Sequence, residues 1–371
     1  MRTRILAVVA TVLATLVFTS SAWAAGAVGA RVMTRNLYIG ADVFAAIDVE
    51  DPNQIPAAAG AVLAEIIASD FPGRAKLLAR EIQARQPQAI GLQEVWNVQA
   101  ASLTGAPIAI DFLALLSDEL EALGQKYAVA VEQVNVDVTL PALLGADLYL
   151  GNIQDRDVIL VRHNAAWSNP DSALYPTRIP TPFGFDIVRG WTSIDVTVAG
   201  KPYRFVNTHL EVESFGDGLV QTLQAIELQE ALGLLAWKFG PLPEIVVGDF
   251  NSDPADPGCT DPTFCAGPPL RGVSPYVVLS SGFFGPALAD AWFLRNNDRR
   301  ASGDTCCYDS LAAADGSVLN RRVDQVWIRG AQAEGVTVRL SGDDAKRLTP
   351  GGLYGSDHLG VMARMSLVPA Y

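Results

Sequence analysis

The sequence is short of positive charge, of histidine and of cysteine, and it has no long apolar run beyond Phe18. Lys and Arg together number 27 against 40 Asp and Glu, a net charge of −13. A chain this acidic has no overall attraction for nucleic acid or an anionic membrane, although a local basic cleft is compatible with the total. Spanning a bilayer takes ~20 apolar residues. No segment after Phe18 meets that length, so a soluble mature protein without stable membrane insertion is expected. The four cysteines, Cys259, Cys265, Cys306 and Cys307, all fall in the last third. Neither pair has zinc-ligand spacing and no histidine lies nearby in sequence. An even number in loop-like sequence reads as disulfides, with three connectivities open. Residues 253–269 are rich in Pro, Gly and Asp, so bridges there would staple a long loop.

What is present begins with a leader. Arg2 and Arg4 precede an apolar run over residues 5–18, followed by small and polar residues ending in Ala22-Trp23-Ala24. That is the charged, apolar and A-x-A order of a secretory signal peptide, cleaved before Ala25. The alternative is an uncleaved N-terminal anchor. Residues 1–24 are therefore read as a signal peptide and residues 25–371 as one catalytic domain with loop insertions, secreted or extracytoplasmic. Cleavage removes Arg2 and Arg4, leaving 25 basic residues against 40 acidic, a net charge of −15.

Short β-branched runs alternate with helical patterns along the mature chain. Strands are expected over 28–36, 89–93, 127–138, 157–161, 192–198, 203–208, 244–248, 322–328, 335–340 and 359–367. Helices are expected over 57–68, 74–85, 111–123 and 219–235, and Ala199-Gly200-Lys201-Pro202 reads as a hairpin turn. Strands dominate and helices do not alternate strictly with them. This predicts an α+β layered fold with antiparallel pairing and argues against a doubly wound parallel sheet. The stretches 137–154, 168–185 and 252–275 read as loop insertions.

Polar residues recur where apolar strands end: Asn36 after Val32-Met33-Thr34-Arg35, Gln93-Glu94 after Ile90-Gly91-Leu92, His209 after Phe205-Val206-Asn207-Thr208, and Asp249 with Asn251 after Ile245-Val246-Val247-Gly248. A strand buried on both faces offers polar groups only at its end. If these ends share a rim, one cleft collects two histidines, several carboxylates and amides. Hard oxygen donors suit Mg²⁺, Mn²⁺ or Ca²⁺ better than zinc or copper. Of the three histidines, His209 and His358 lie in such segments, where imidazole can move a proton near neutral pH. His163, between Arg162 and Asn164 just past a strand, reads as structural.

In order, Asn36, Gln93-Glu94, Asn207-Thr208-His209-Leu210, Gly248-Asp249-Phe250-Asn251, Arg322-Val323-Asp324-Gln325-Val326 and Ser356-Asp357-His358 resemble the endonuclease/exonuclease/phosphatase superfamily. Each string alone is weak; six in order, from Asn36 to His358, are specific together. The resemblance implies a four-layer αββα sandwich, with two mainly antiparallel sheets packed face to face and helices outside. It also implies a metal-dependent phosphoesterase that hydrolyses a phosphodiester by in-line water attack. Glu94 resembles the main metal ligand, assisted by Asn36 and Asp357. Asp249 and Asn251 resemble the pair that positions the attacking water and the phosphate. Asp324 resembles the carboxylate that orients and charges His358, and His209 the second histidine. Asp155 resembles in place a carboxylate supporting that second histidine, and could equally cap its strand or pair with Arg156.

Tyr38 and Asp42 sit in a stretch most relatives lack and read as turn and packing residues. Phe283-Phe284 resembles a buried segment more than a membrane wedge, while Phe183-Gly184-Phe185 is the better exposed contact. Arg299-Arg300 and Arg321-Arg322 could hold phosphate or simply be solvated. The expected partner is a phosphoester, nucleic acid or phospholipid headgroup, acted on by a monomer. A sphingomyelinase or phospholipase C-like activity is the alternative to a nuclease, and a non-catalytic binding protein on the same fold is the rival from another class.

Overall fold

The structure is a computed structural model that describes residues 28–370 except 48, 182, 261, 262, 264, 266–269 and 296–301. The leader with its cleavage point, and Arg299-Arg300, lie outside the described residues. The strands are β1 (Val28–Asn36), β2 (Ala89–Gln93), β3 (Asn97–Ser102), β4 (Ile108–Asp111), β5 (Tyr127–Leu144), β6 (Asp147–Arg162), β7 (Ala166–Leu174), β8 (Ile179–Pro180), β9 (Asp186–Ile187), β10 (Gly190–Val198), β11 (Lys201–His209), β12 (Glu244–Asp249), β13 (Ala289–Asp290), β14 (Asp324–Arg329), β15 (Ala331–Ser341) and β16 (Gly360–Pro369). The helices are α1 (Ile55–Ala68), α2 (Phe71–Arg85), α3 (Phe112–Ala122), α4 (Leu219–Phe239), α5 (Pro275–Ser280) and α6 (Ala291–Leu294).

The strand sequences dictate which side each residue faces. In β12, Ile245 and Val247 point to one face and Val246 to the other, as a period of two requires. Ile245 and Val247 join Phe205 against Val32, Ile159 and Val161 of the other sheet, closing an apolar layer between the sheets. Val246 instead meets Leu228 and Leu232 of α4. On the far side, Leu92, Val158 and Leu160 pack against Leu63, Leu78 and Phe112 of α1, α2 and α3. Each fully buried side chain of this kind contributes roughly 1.5–3 kcal/mol. The result is an αββα sandwich, the expected architecture.

One sheet runs β15–β16–β1–β2–β6, with β5 along the other edge of β6 and β3–β4 beside the first half of β6. The other runs β13–β14–β12–β11–β10–β7, and β8–β9 form a separate ladder. Most pairs are antiparallel, but each sheet carries one parallel pair, β1–β2 and β11–β12. These two pairs place the site. Parallel neighbours end on the same rim, so Asn36 comes opposite Gln93 and His209 opposite Asp249. The sheets touch below that rim at Gly91, where an added Cβ would lie 2.4 Å from Asn207 Oδ1. Gln93 Nε2 donates to Asn207 Oδ1 at 2.5 Å, and Asn207 Nδ2 to Leu92 O at 3.1 Å, stitching the sheets there.

Several expectations need correction. Residues 137–154 are not a loop but the outer half of a long hairpin, since β5 and β6 stay paired out to Leu144 and Asp147. Pro141 lies within β5. Among the described residues β5 pairs only with β6, so the missing N–H of Pro141 falls on an edge strand, where proline is tolerated. Residues 168–174 belong to β7. Phe283 is 74% exposed rather than buried, and only Phe284 packs against the α4–α5 layer. Cys259 pairs with Cys265 and Cys306 with Cys307, one of the three connectivities left open. Among the described residues no single helix is long and apolar enough to cross a membrane.

Candidate active site

The rim made by the ends of β1, β2, β11 and β12 receives two more chain segments. β14 runs antiparallel to β12 and starts with Asp324 opposite Asp249. β16 runs antiparallel to β1, so Ser356-Asp357-His358, just before it, arrives beside Asn36. Buried polar contacts fix that arrival: Ser356 Oγ donates to Asn36 O at 2.9 Å, and Arg35 donates to the carbonyl of His358. Arg74, fully buried, donates to the carbonyls of Leu37, Tyr38 (2.7 Å) and Gly355 (3.0 Å), tying the loop after β1 to the segment before His358.

Asn36, Glu94, His209, Asp249, Asn251, Asp357 and His358 meet around this cleft. The Asn36 amide nitrogen lies 3.0 Å from both Glu94 Oε1 and Asp249 Oδ2. Its oxygen accepts from the Tyr38 N–H at 2.9 Å. Asn36 thus turns its nitrogen, not its oxygen, to the carboxylates. In this arrangement Asn36 holds Glu94 and Asp249 in place. The other oxygen of Glu94 accepts from Ile39 N–H (3.1 Å) and Trp96 Nε1 (3.2 Å). Glu94 and Asn251 both hold left-handed backbone, φ +53° and +48°. For a residue such as Glu this costs about 1–3 kcal/mol and persists where surroundings over-determine it, commonly at functional sites.

His358 and His209 occupy opposite electrostatic situations. His358 Nδ1 is 2.9 Å from Asp324 Oδ2, and its Nε2 is 3.7 Å from Asp249 Oδ2 and 4.0 Å from Asp357 Oδ1. Burial opposes its charged form, but Asp324, Asp249 and Asp357 outweigh that and hold it well above the ordinary imidazole value. His209 lies 3.6 Å from Asp249 Oδ2, but burial and the nearby Arg189 push it well below that value. Arg189 can only donate, so Nδ1 of the neutral ring, 3.3 Å from Arg189 Nη1, accepts. His209 Nε2 faces Asp249 and lies 3.3 Å from the Asn251 amide nitrogen.

Asp155 supports His209 less directly than expected. It pairs with Arg189 at 3.0 Å, and Arg189, itself clamped by Glu211 at 3.1 Å, stands between carboxylate and imidazole. Burial first, and the charge of Arg189 second, hold the His209 imidazole towards its neutral form. Arg189, Glu211, Asn135 and Asp157 were not legible as a group in the sequence. Glu211 alone carried a signal, two residues after His209 on the same emerging chain. Asn135 donates to Asp157 at 2.9 Å and to Asp155 at 3.5 Å.

Burial raises the Asp249 carboxyl to about 6 against the pull of His358. It raises Asp357 to about 6 as well, with Glu94 adding to the effect of burial. Carboxylates crowded in this way, with oxygen donors and no free thiolate, fit a hard divalent cation. Asp249, Asp324 and His358 bring donor atoms within 4.8 Å of one another. Asn251 N–H donates to Asp249 Oδ1 at 2.8 Å and its amide to Leu210 O at 2.8 Å, placing it beside His209. Cys307 Sγ flanks the opening, 3.6 Å from His358 Nε2. Arg322 does not reach the cleft; it is buried on Asp290 at 2.6 Å, while Arg321 pairs with Asp256 at 2.8 Å. Asp42 caps the turn at Phe44, and His163 is exposed away from the rim.

A family model described as the Endonuclease/Exonuclease/phosphatase family matches residues 67–358. The chain belongs to this family. Its members are hydrolases of phosphoesters that generally use a divalent metal. Solved structures of the same fold include a family protein from Leptotrichia buccalis, 14% identical, covering 91% of this chain and 99% of that one, with a TM-score of 0.51. A family protein from Bacteroides thetaiotaomicron is 16% identical over 92% of this chain and 98% of that one, TM-score 0.51. A mannosyl-6-phosphatase from Bacteroides thetaiotaomicron is 16% identical over 91% and 99%, TM-score 0.50. These likenesses establish the fold of this family member. No curated protein sequence matches it.

Proposed function

We propose that this family member is an exported, divalent-metal-dependent hydrolase of phosphodiesters. The observation that carries the reading is the convergence of Asp324, His358, Asp249, Asn36 and Glu94 through successive contacts at one rim. Glu94 and Asp357, with Asn36 beside them, would hold the cation, Mg²⁺ or Mn²⁺ (with Ca²⁺ the third choice). When bound it supplies Lewis-acid neutralisation of the non-bridging phosphoryl oxygens.

The residues perform the rest. Asp324 holds the His358 ring by Nδ1 and stabilises its charge, leaving Nε2–H to donate to a phosphoryl oxygen. His209, beside Asp249 and Asn251, gives the phosphoryl group a second contact without adding charge. Asp249, fixed by Asn36 and the Asn251 N–H, accepts a proton from the attacking water. The water oxygen bonds to phosphorus as the bond to the alcohol breaks, and solvent protonates the departing alkoxide. Export is supported by the leader sequence and the two cysteine pairs. The test is hydrolysis of bis-p-nitrophenyl phosphate with Mn²⁺, with EDTA, and after Mn²⁺ is restored. EDTA-reversible turnover is expected. Absence of any metal-dependent turnover, there and with plasmid DNA, RNA and sphingomyelin, would move the protein to the binding class.

A further inference from the structure

From the rim that carries Glu94, Asp249 and His358, a cavity of about 370 Å³ opens inward. Its walls change character away from the carboxylates. Val62, Leu63 and Ile66 of α1 form one side, and Val138, Leu140 and Ile153 of the β5–β6 hairpin the other. Val138 pairs across the hairpin with Ile153, and Leu140 with Gly151, so these side chains share the face turned to α1. The helix is pressed onto the hairpin at one point: a Cβ on Gly60 would lie 1.9 Å from Leu143 O. Elsewhere along the same contact helix and hairpin enclose the cavity. On the opposite face of the hairpin, Leu143, Leu148 and Leu150 are exposed at 43%, 58% and 62%.

Protein interiors are close-packed, and an unfilled apolar cavity costs stability, so one kept open beside a hydrolytic rim calls for an occupant. Two observations narrow its chemistry. Among the described residues lining the cavity the only guanidinium is Arg189, already held by Glu211 and Asp155, and no lysine lines it. A nucleic-acid strand would need a cationic track for its phosphates. Moreover, the cavity is apolar on both sides, with Val62, Leu63 and Ile66 facing Val138, Leu140 and Ile153. Its volume is at the small end of ligand pockets, about 300–1,000 Å³.

We infer that the cavity holds the aliphatic chain of an amphiphilic phosphodiester whose phosphate sits at Glu94, Asp249 and His358; this rests on the hydrolase reading above. The substrate class is a single-chain phospholipid or a similar alkyl phosphodiester, entering tail first past the rim.

The experiment measures kcat/KM of the full mature chain, with Mn²⁺, on p-nitrophenyl alkyl phosphates from methyl to dodecyl below their micelle concentrations. The expected rise is about threefold to fourfold per added methylene, ending in a plateau once the cavity is full. Leu63→Asn and Val138→Asn, each checked for native circular dichroism, should cut the dodecyl-to-methyl ratio measured within the same variant. Alkyl phosphonates of the same lengths provide a readout without turnover, as a rise in Tm that grows with chain length. Flat dependence in both series, with bis-p-nitrophenyl phosphate still hydrolysed, overturns the inference and leaves the hydrolase reading intact. Length-dependent Tm shifts without hydrolysis of any diester would keep the tail site and remove the hydrolase. Flat behaviour with no turnover would overturn both.

Discussion

Nδ1 of His358 lies 2.9 Å from Oδ2 of Asp324, a contact between the approach to β16 in one sheet and the first residue of β14 in the other. It spans the sandwich at its rim and leaves Nε2 facing the cleft. If the two act as a unit, Asp324→Asn and His358→Ala should each lower kcat/KM on bis-p-nitrophenyl phosphate by about 10²–10⁴. The double variant should lose little more than either single one. Losses that multiply would mean that the two residues act independently.

Glu94 is expected to anchor the cation. Adding Mn²⁺ to EDTA-treated protein should raise Tm, by about 2.7 kcal/mol of stability at a hundredfold excess over Kd. Glu94→Gln should lose most of that rise together with turnover. A variant that still responds fully to Mn²⁺ would remove Glu94 from the metal site.

Arg189 neutralises Glu211 and Asp155 in a buried cluster. Arg189→Met leaves two acidic groups without their cation, and about 3–5 kcal/mol should be lost in urea unfolding. Adding Glu211→Gln and Asp155→Asn to the same protein should return much of that loss. No recovery in the triple variant would show that Arg189 matters through packing alone.

Burial holds Asp157 well above the usual carboxylate range, with Asp155 adding to it, and burial lifts Asp155 to about 6 despite Arg189. Unfolded Asp titrates near ~3.9. Between that value and the folded values the native protein binds more protons than the unfolded chain. Stability from this pair is therefore complete below about pH 4 and declines as pH rises through 6 and beyond. Asp157→Asn should gain on the wild type from pH 4 to pH 8 in urea midpoints. A difference that does not change with pH would contradict the assignment.

Much of the site was legible because its residues stand where apolar strands stop. Asn36, Glu94, His209 and Asp249 each follow such a run, and burial on both faces forces polar groups to the ends. The family frame was legible for the same reason, since six short strings in order encode strand ends and little else. The β5–β6 hairpin was not legible beyond residue 138. Pro141, Gly145 and Gly151 are breakers in an isolated sequence; Pro141 is tolerated because β5 is an edge strand, Gly145 makes the turn, and Gly151 is paired on both sides in β6. Phe283 was misplaced because hydrophobicity indicates a preference for burial without telling which of two adjacent rings finds space.

The amino-acid sequence by itself determined the alternation that builds two sheets, the polar strand ends, and the excess of acid over base. Those are local properties of the chain, set by side-chain type and spacing. Tertiary structure alone decided that Arg189 separates Asp155 from His209, that Asn36 turns its nitrogen to the carboxylates, and that α1 stands off the hairpin to leave an apolar cavity at the rim. Each of these depends on which distant groups meet in a low-dielectric interior, where a few ångströms choose between a neutral and a charged imidazole.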